Sequence, residues 1–286
     1  VSPGEGVDRV TARPVVARTE MIMGLPVSIH LRERPGGPAV VAAEAAAAVD
    51  RAFDVMRRCD RIFSPYLADS ELQAVRAGRT VAPGAAAEFA AVLEIAECAR
   101  VRTDGWFDIR YSGALDPSGV VKGWAAQRAG DELADIGCDS YLNAGGDIVC
   151  RSAGAPWRIG IEHPFQPSGL LTVLGLRDFA VATSGAAHRG AHIIDPHTAS
   201  AAGGVRQVTV VGPSLTWADI WATALVAAGR PALLDPSQAL IGLCCADGYD
   251  LMAVTEDDEV FATDGFDSFQ VSDLPRPEVG RIGTRR

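Results

Sequence analysis

The stretch PAVVAAEAAAAVDRAFDVMRRCDRIF restricts the fold more than any other part of the chain. It is rich in alanine, its charges recur at helical spacing, and no proline or glycine interrupts it after Pro38. It therefore predicts one long helix over residues 38–63. Ahead of it, after a break at Met23-Gly24, PVSIHLR alternates and reads as a strand over residues 26–32. Behind it, Asp69 or Ser70 can cap a short helix in DSELQAV, and PGAAAEFAAVLEIAECARVRTDG reads as a further helix closed by Gly105. A fourth helix starts near Lys122 and stops at Gly137.

The second half is richer in strands. SYLNAGGDIVCRS reads as a hairpin around Gly145-Gly146, and WRIGIEHP alternates toward Pro164. Strands are expected at 170–176, 179–182 and 207–211, then a helix at 216–228 stopped by Gly229 and a short one after Pro231. The chain closes with strands at 240–246, 250–255 and 259–262. Helices and strands mix without regular βα alternation, which argues for an α+β fold with largely antiparallel sheet.

At 286 residues the chain can form one large domain or two modest ones. No internal repeat or linker divides it, so a single domain over residues 23–270 is expected, with residues 1–22 and 271–286 as loose ends. The apolar content of 48% and charged content of 22% are those of a soluble globular protein. A formal net charge of −10 repels nucleic acid and anionic membrane surfaces, so a phosphate-bearing ligand would need a local cation or a metal. The six cysteines contain no CxxC pair and read as small buried hydrophobes, which favours a reducing compartment. The first twenty residues lack the apolar core of a secretory leader, no run approaches the ~18 apolar residues of a transmembrane segment, and no cysteine lies in the first fifty. A cytoplasmic protein is the expectation.

Four stretches carry residues suited to chemistry. In TWADIWATALVAAG, Asp219 and Thr223 stand four apart, so a helix sets both oxygens on one face. A carboxylate and a hydroxyl make a hard-oxygen pair suited to Mg²⁺; the bland alternative is a carboxylate that favours the helix dipole. In LNAGGD, two glycines before Asp147 let the backbone approach a ligand, and a hairpin turn explains them equally well. SGVVKGWAA places Gly119, Lys122 and Gly123 at a loop-to-helix junction where free N–H groups and a lysine can receive a phosphate, or where the lysine is merely solvated. The Walker A spacing is absent.

SGAAHRGAHIIDPHTA holds His188, His192 and His197. It lacks HExxH and is too rich in glycine and proline for one helix, which disfavours zinc. His192, with Asp195 close by, is better placed as a general base or a ligand-ordering group. His30 and His163 read as structural.

The order of these pieces resembles the FAD:protein FMN transferase family (ApbE-like). The stretches carrying the resemblance are MGLPVSI, FSPYLADSEL, GWFD, LDPSGVVKGWAA, LNAGGDI, WRIGIEHP, VATSG, HIIDPHTA and ADIWATAL, running from about Met23 to Phe269. The resemblance implies an ApbE-like fold, in which largely antiparallel sheets flanked by helices enclose a flavin site. It implies a Mg²⁺-dependent transferase that cleaves the pyrophosphate of FAD and attaches FMN to a threonine or serine hydroxyl of a redox protein, releasing AMP. An FAD pyrophosphatase giving FMN and AMP, or a non-catalytic flavin-binding protein, are the alternatives.

Carried over by position, the resemblance implies Asp219, Thr223 and the Val121 carbonyl as metal ligands, Lys122 as the group holding phosphate charge, and His192 as the acceptor of the hydroxyl proton. It further implies Gly145, Gly146, Asp147 and Asp195, with the turn Ala182, Thr183, Ser184 and Gly185, as residues that bind the flavin nucleotide. Between Asp108 and Lys122 only thirteen residues intervene, a shorter segment than most members carry.

Overall fold

The computed structural model describes residues 14–34, 36–37, 40–185, 193–235, 239–272 and 277–282. Its centre is a sheet of nine strands among these residues, in the order β1 (Pro14–Ile22), β2 (Leu25–Glu33), β3 (Cys138–Ala144), β4 (Asp147–Arg151), β7 (Phe179–Gly185), β10 (Val205–Gly212), β11 (Asp250–Thr255), β12 (Val260–Ala262) and β13 (Gly280–Arg281). Every neighbouring pair is antiparallel except β12 with β13. Two short ribbons complete the strands, β5 (Trp157–Glu162) with β6 (Leu170–Leu176) and β8 (Ile194–Asp195) with β9 (Ser200–Ala201).

Both faces of the central sheet are covered, and period-two alternation assigns side chains to one or the other. Val149 and Ala182 belong to the larger core, shared with helices α1 (Ala42–Phe63), α3 (Ala86–Arg102), α4 (Ser118–Asp131), α5 (Leu215–Leu234) and α6 (Ala239–Ala246). Ile148, Cys150 and Val181 point the other way, into a second core closed by the β5–β6 ribbon and by Phe266. Helix α1 lies on the first face through Ala45, Ala48, Val49, Ala52, Phe53 and Met56, the stripe that its spacing predicts. The short helix α2 (Glu71–Arg76) is capped by Ser70, whose Oγ accepts the Gln73 N–H at 3.2 Å, rather than by Asp69.

Four expectations are corrected. Residues 14–22, expected to be loose, form β1, which pairs with β2 around a Met23-Gly24 turn. The tail also contributes β13 to the sheet edge. Helix α4 begins at Ser118 rather than near Lys122, because the Asp116 carboxylate accepts the Ser118 N–H at 3.1 Å and starts the helix a full turn earlier. ALIGLCCA, read as a strand over 240–246, is helix α6. Such a short apolar run has no diagnostic period, and burial of Leu240, Ile241 and Cys244 on one helical side decides the matter. Among the described residues no helix is long and apolar enough to cross a membrane.

Candidate active site

The site is assembled where α4 and α5 cross the sheet over β4 and β7. Asp147 is the first residue of β4, and alternation puts it on the helix face with Val149. It follows a two-residue turn, Gly145-Gly146, with φ of 62° and 102°, a conformation open to glycine and strained for other residues. Thus the glycines of LNAGGD serve the hairpin. Gly146 N–H donates to Asn143 Oδ1 at 2.8 Å, and a Cβ on Gly145 would meet the Leu25 side chain at 3.0 Å. Neither glycine lines the cavity described below.

Lys122, in the second turn of α4, reaches down to this face. Its Nζ stands 2.6 Å from Asp147 Oδ2 and 3.5 Å from Asp219 Oδ1, and Asp147 and Asp219 are both buried. One lysine thus serves two buried carboxylates. Burial first, and then the Asp147 carboxylate, push the Asp219 pKa up to about 7, against the pull of Lys122. The glycine that follows the lysine permits this approach: a Cβ on Gly123 would fall 2.9 Å from the Leu215 carbonyl oxygen and 3.0 Å from Asp219 Cβ. The KG pair therefore joins a charge to the absence of a side chain, and the two helices close up around it.

One turn along α5, Thr223 shares the face with Asp219 as the spacing predicts, and its Oγ1 lies 3.0 Å from Ser184 Oγ on β7. Ala182 to Gly185, expected as a turn, are instead the last residues of β7, paired with β10, and of them Ser184 lines the cavity. Ala182 is packed in the helix-side core, and Thr183 alternates to the other face, where its hydroxyl lies 3.0 Å from that of Thr209. Gly185 abuts β10, where a Cβ would lie 2.4 Å from the Arg206 carbonyl oxygen.

Above this group opens a cavity of about 750 Å³, within the ~300–1,000 Å³ usual for small-molecule sites. Lys122, Val121, Ser184, Asp219 and Thr223 lie at its polar end. Phe63, Tyr66, Trp106, Phe107 and Tyr111 give it aromatic walls, and Asp60 and the Met23-Gly24 turn complete one side. Spacing alone does not single out these wall residues; two of the stretches that hold them, FSPYLADSEL and GWFD, enter through the resemblance. Their signal is tertiary, since loops far apart in the chain meet around a common volume.

Asp195 is organised inward on its own loop. Its Oδ1 accepts the His197 N–H at 2.8 Å and its Oδ2 the Thr198 hydroxyl at 2.8 Å. Desolvation raises its pKa, but these bonds outweigh it and hold the carboxyl below the usual range. Its neighbours Ile193, Ile194 and Pro196 line the cavity, so Asp195 shapes the loop that supplies them. His197 sets its ring edge-on to Trp106, centroids 4.3 Å apart, behind a cavity wall. His188 and His192 lie outside the described residues. His30 packs against Tyr141, and His163 stands 3.6 Å from Asp258.

The donor set suits a hard cation. Asp219 Oδ2 is buried without a hydrogen-bond partner in a carboxyl that lines the same cavity as Lys122 and the Thr223 and Ser184 hydroxyls, a polar atom that a bound cation would satisfy. Among the described residues no three His, Cys, Asp or Glu side chains gather around one point, so hydroxyl and carbonyl oxygens would complete the coordination. Such a set fits Mg²⁺ better than zinc.

Residues 109–240 match the ApbE family model. The FAD:protein FMN transferase of Vibrio cholerae is 34% identical over 130 residues, 41% of this chain and 39% of that protein. The enzyme of the same name from Rhodobacter capsulatus is 34% identical over 164 residues, 52% of this chain and 29% of that one. The matched segments therefore span well under half of these relatives' own lengths. In structure, the ApbE protein of Thermotoga maritima superimposes with a TM-score of 0.76 at 20% identity, over 91% of this chain and 100% of the other. The structural likeness thus extends well beyond residues 109–240. Residues 109–240 are thus similar to the ApbE family, and the α+β fold built around them is the one seen in the ApbE protein structure.

Proposed function

We propose that the protein is a Mg²⁺-dependent FAD:protein FMN transferase, which splits the pyrophosphate of FAD and passes the FMN phosphoryl group to a threonine or serine hydroxyl of a redox protein, releasing AMP. The observation that carries this reading is the convergence of Lys122, Asp219 and Thr223 at the polar end of an aromatic-walled cavity, with buried Asp147 holding the lysine from behind. Aromatic walls offer stacking surface to flat rings, and the polar end offers groups for a diphosphate between them.

Phosphoryl transfer demands positioning and charge stabilisation more than covalent work by the protein. Asp219 and Thr223 would hold the cation with the Val121 carbonyl, and the cation when bound would neutralise charge growing on the phosphoryl oxygens and the AMP leaving group. Lys122, fixed by Asp147, presents its ammonium beside that point, which lets a chain of net charge −10 hold an anionic ligand. The family resemblance assigns His192 to accept the proton of the attacking hydroxyl.

Incubating the chain with FAD and Mg²⁺, with and without a threonine-bearing acceptor peptide, and measuring AMP tests the reading. Acceptor-dependent AMP with a covalently flavinylated peptide is expected. Acceptor-independent AMP would make the protein an FAD pyrophosphatase, and tight FAD without AMP a flavin-binding protein. Asp219→Ala should abolish turnover and leave the fold intact. His192→Ala should slow transfer more than it weakens FAD binding, and equal losses in both would give His192 a binding role.

A further inference from the structure

We propose that Ser184 is a positioning residue for the cation site: its Oγ accepts the Thr223 hydroxyl proton and thereby holds a Thr223 lone pair toward the space in front of Asp219. The inference rests on the reading that Asp219 and Thr223 hold a divalent cation. It assigns Ser184 a duty different from contact with flavin.

A threonine inside a helix has two accessible rotamers, because its hydroxyl can bond back to the carbonyl four residues earlier. For Thr223 that carbonyl belongs to Asp219, and a hydroxyl spent there is turned along the helix. Here the hydroxyl instead lies 3.0 Å from Ser184 Oγ. A cation drawing on the Thr223 oxygen polarises its O–H bond, making that hydroxyl a stronger donor and a poorer acceptor. Ser184 is then the acceptor, and its own proton is free to point into the cavity that it lines with Thr223 and Asp219.

The serine is well held for this duty. It is 9% exposed, sits in register with Val208 of β10, and is followed by Gly185, whose backbone approaches β10 too closely for a side chain. A hydroxyl on the sheet thus braces a hydroxyl on the helix across 39 residues of sequence.

The test is Mn²⁺ binding, followed by electron paramagnetic resonance on the full chain without FAD. Loss of a group that orients a metal ligand commonly costs ~10–100-fold in affinity. Ser184→Ala should weaken Mn²⁺ by about that factor, Ser184→Thr should stay within about threefold of the parent, and excess Mg²⁺ should restore AMP release to Ser184→Ala. Parental Mn²⁺ affinity in Ser184→Ala, where Thr223→Ala has lost it, overturns the role of Ser184 and leaves the cation reading standing. Unchanged Mn²⁺ binding in both Thr223→Ala and Asp219→Ala overturns the two together. Should Ser184→Ala fail to fold, Ser184→Cys, with a weakly accepting thiol, replaces it and should show the same loss.

Discussion

Replacing Asp219 with asparagine should stabilise the cation-free protein at alkaline pH while removing its response to Mg²⁺. Asp219 is 2% exposed, and burial followed by the Asp147 carboxylate pushes its pKa from 3.8 to about 7. The folded chain therefore keeps a proton there that the unfolded chain has already released. A carboxyl with a raised folded pKa contributes its stability in full below about pH 4 and loses it as pH rises through about 7. The slope over that window is about 1.4 kcal/mol per pH unit, with a ceiling of about 4 kcal/mol by pH 8.

The amide does not titrate, so urea unfolding in EDTA should show the advantage of Asp219→Asn over the parent growing from pH 5 to pH 7 and levelling by pH 8. Mg²⁺ at a hundredfold excess over its Kd should then return about 2.7 kcal/mol to the parent and nothing to the variant. A difference independent of pH, or a variant less stable than the parent at pH 8 in EDTA, would refute the argument. Either result would mean that the carboxylate is compensated in a way that the Lys122 and Asp147 contacts do not express.

Lys122→Met should destabilise the fold by about 3–5 kcal/mol at pH 8, because two buried carboxylates lose their shared cation, and by less at pH 5, where Asp219 is protonated. Urea midpoints at the two pH values check it. Gly123→Ala should cost about 1–3 kcal/mol and weaken Mn²⁺ binding, since the added methyl pushes α4 away from Leu215 and Asp219; calorimetry and a Mn²⁺ titration read both effects. Phe266→Ala empties the second core, where the ring is fully buried, and should cost about 3–5 kcal/mol in urea unfolding with no change in Mn²⁺ affinity.

Local patterning makes several elements legible in the sequence. Helix α1 follows from uninterrupted alanine and a recurring apolar stripe, the β3–β4 hairpin from Gly145-Gly146, and the common face of Asp219 and Thr223 from a four-residue step along a helix. Each is a property of neighbours in sequence, where backbone geometry alone fixes who faces whom. Family resemblance added the chemistry that is proposed. It could not add the contacts, because Lys122 meets Asp147, and Thr223 meets Ser184, across the gap between helices and sheet.

What the sequence by itself determined about this protein is therefore its inventory: α+β class, most element positions, and the residue types able to serve a phosphate and a hard cation. Tertiary structure decided which of them act together. It turned α6 into a helix by burying one side of an apolar run, recruited residues 14–22 as an edge strand, and set Thr183 and Ser184, adjacent in sequence, on opposite faces of the sheet. The physical reason is that burial, and with it the raised pKa of Asp219, exists only when distant segments exclude water from the same place.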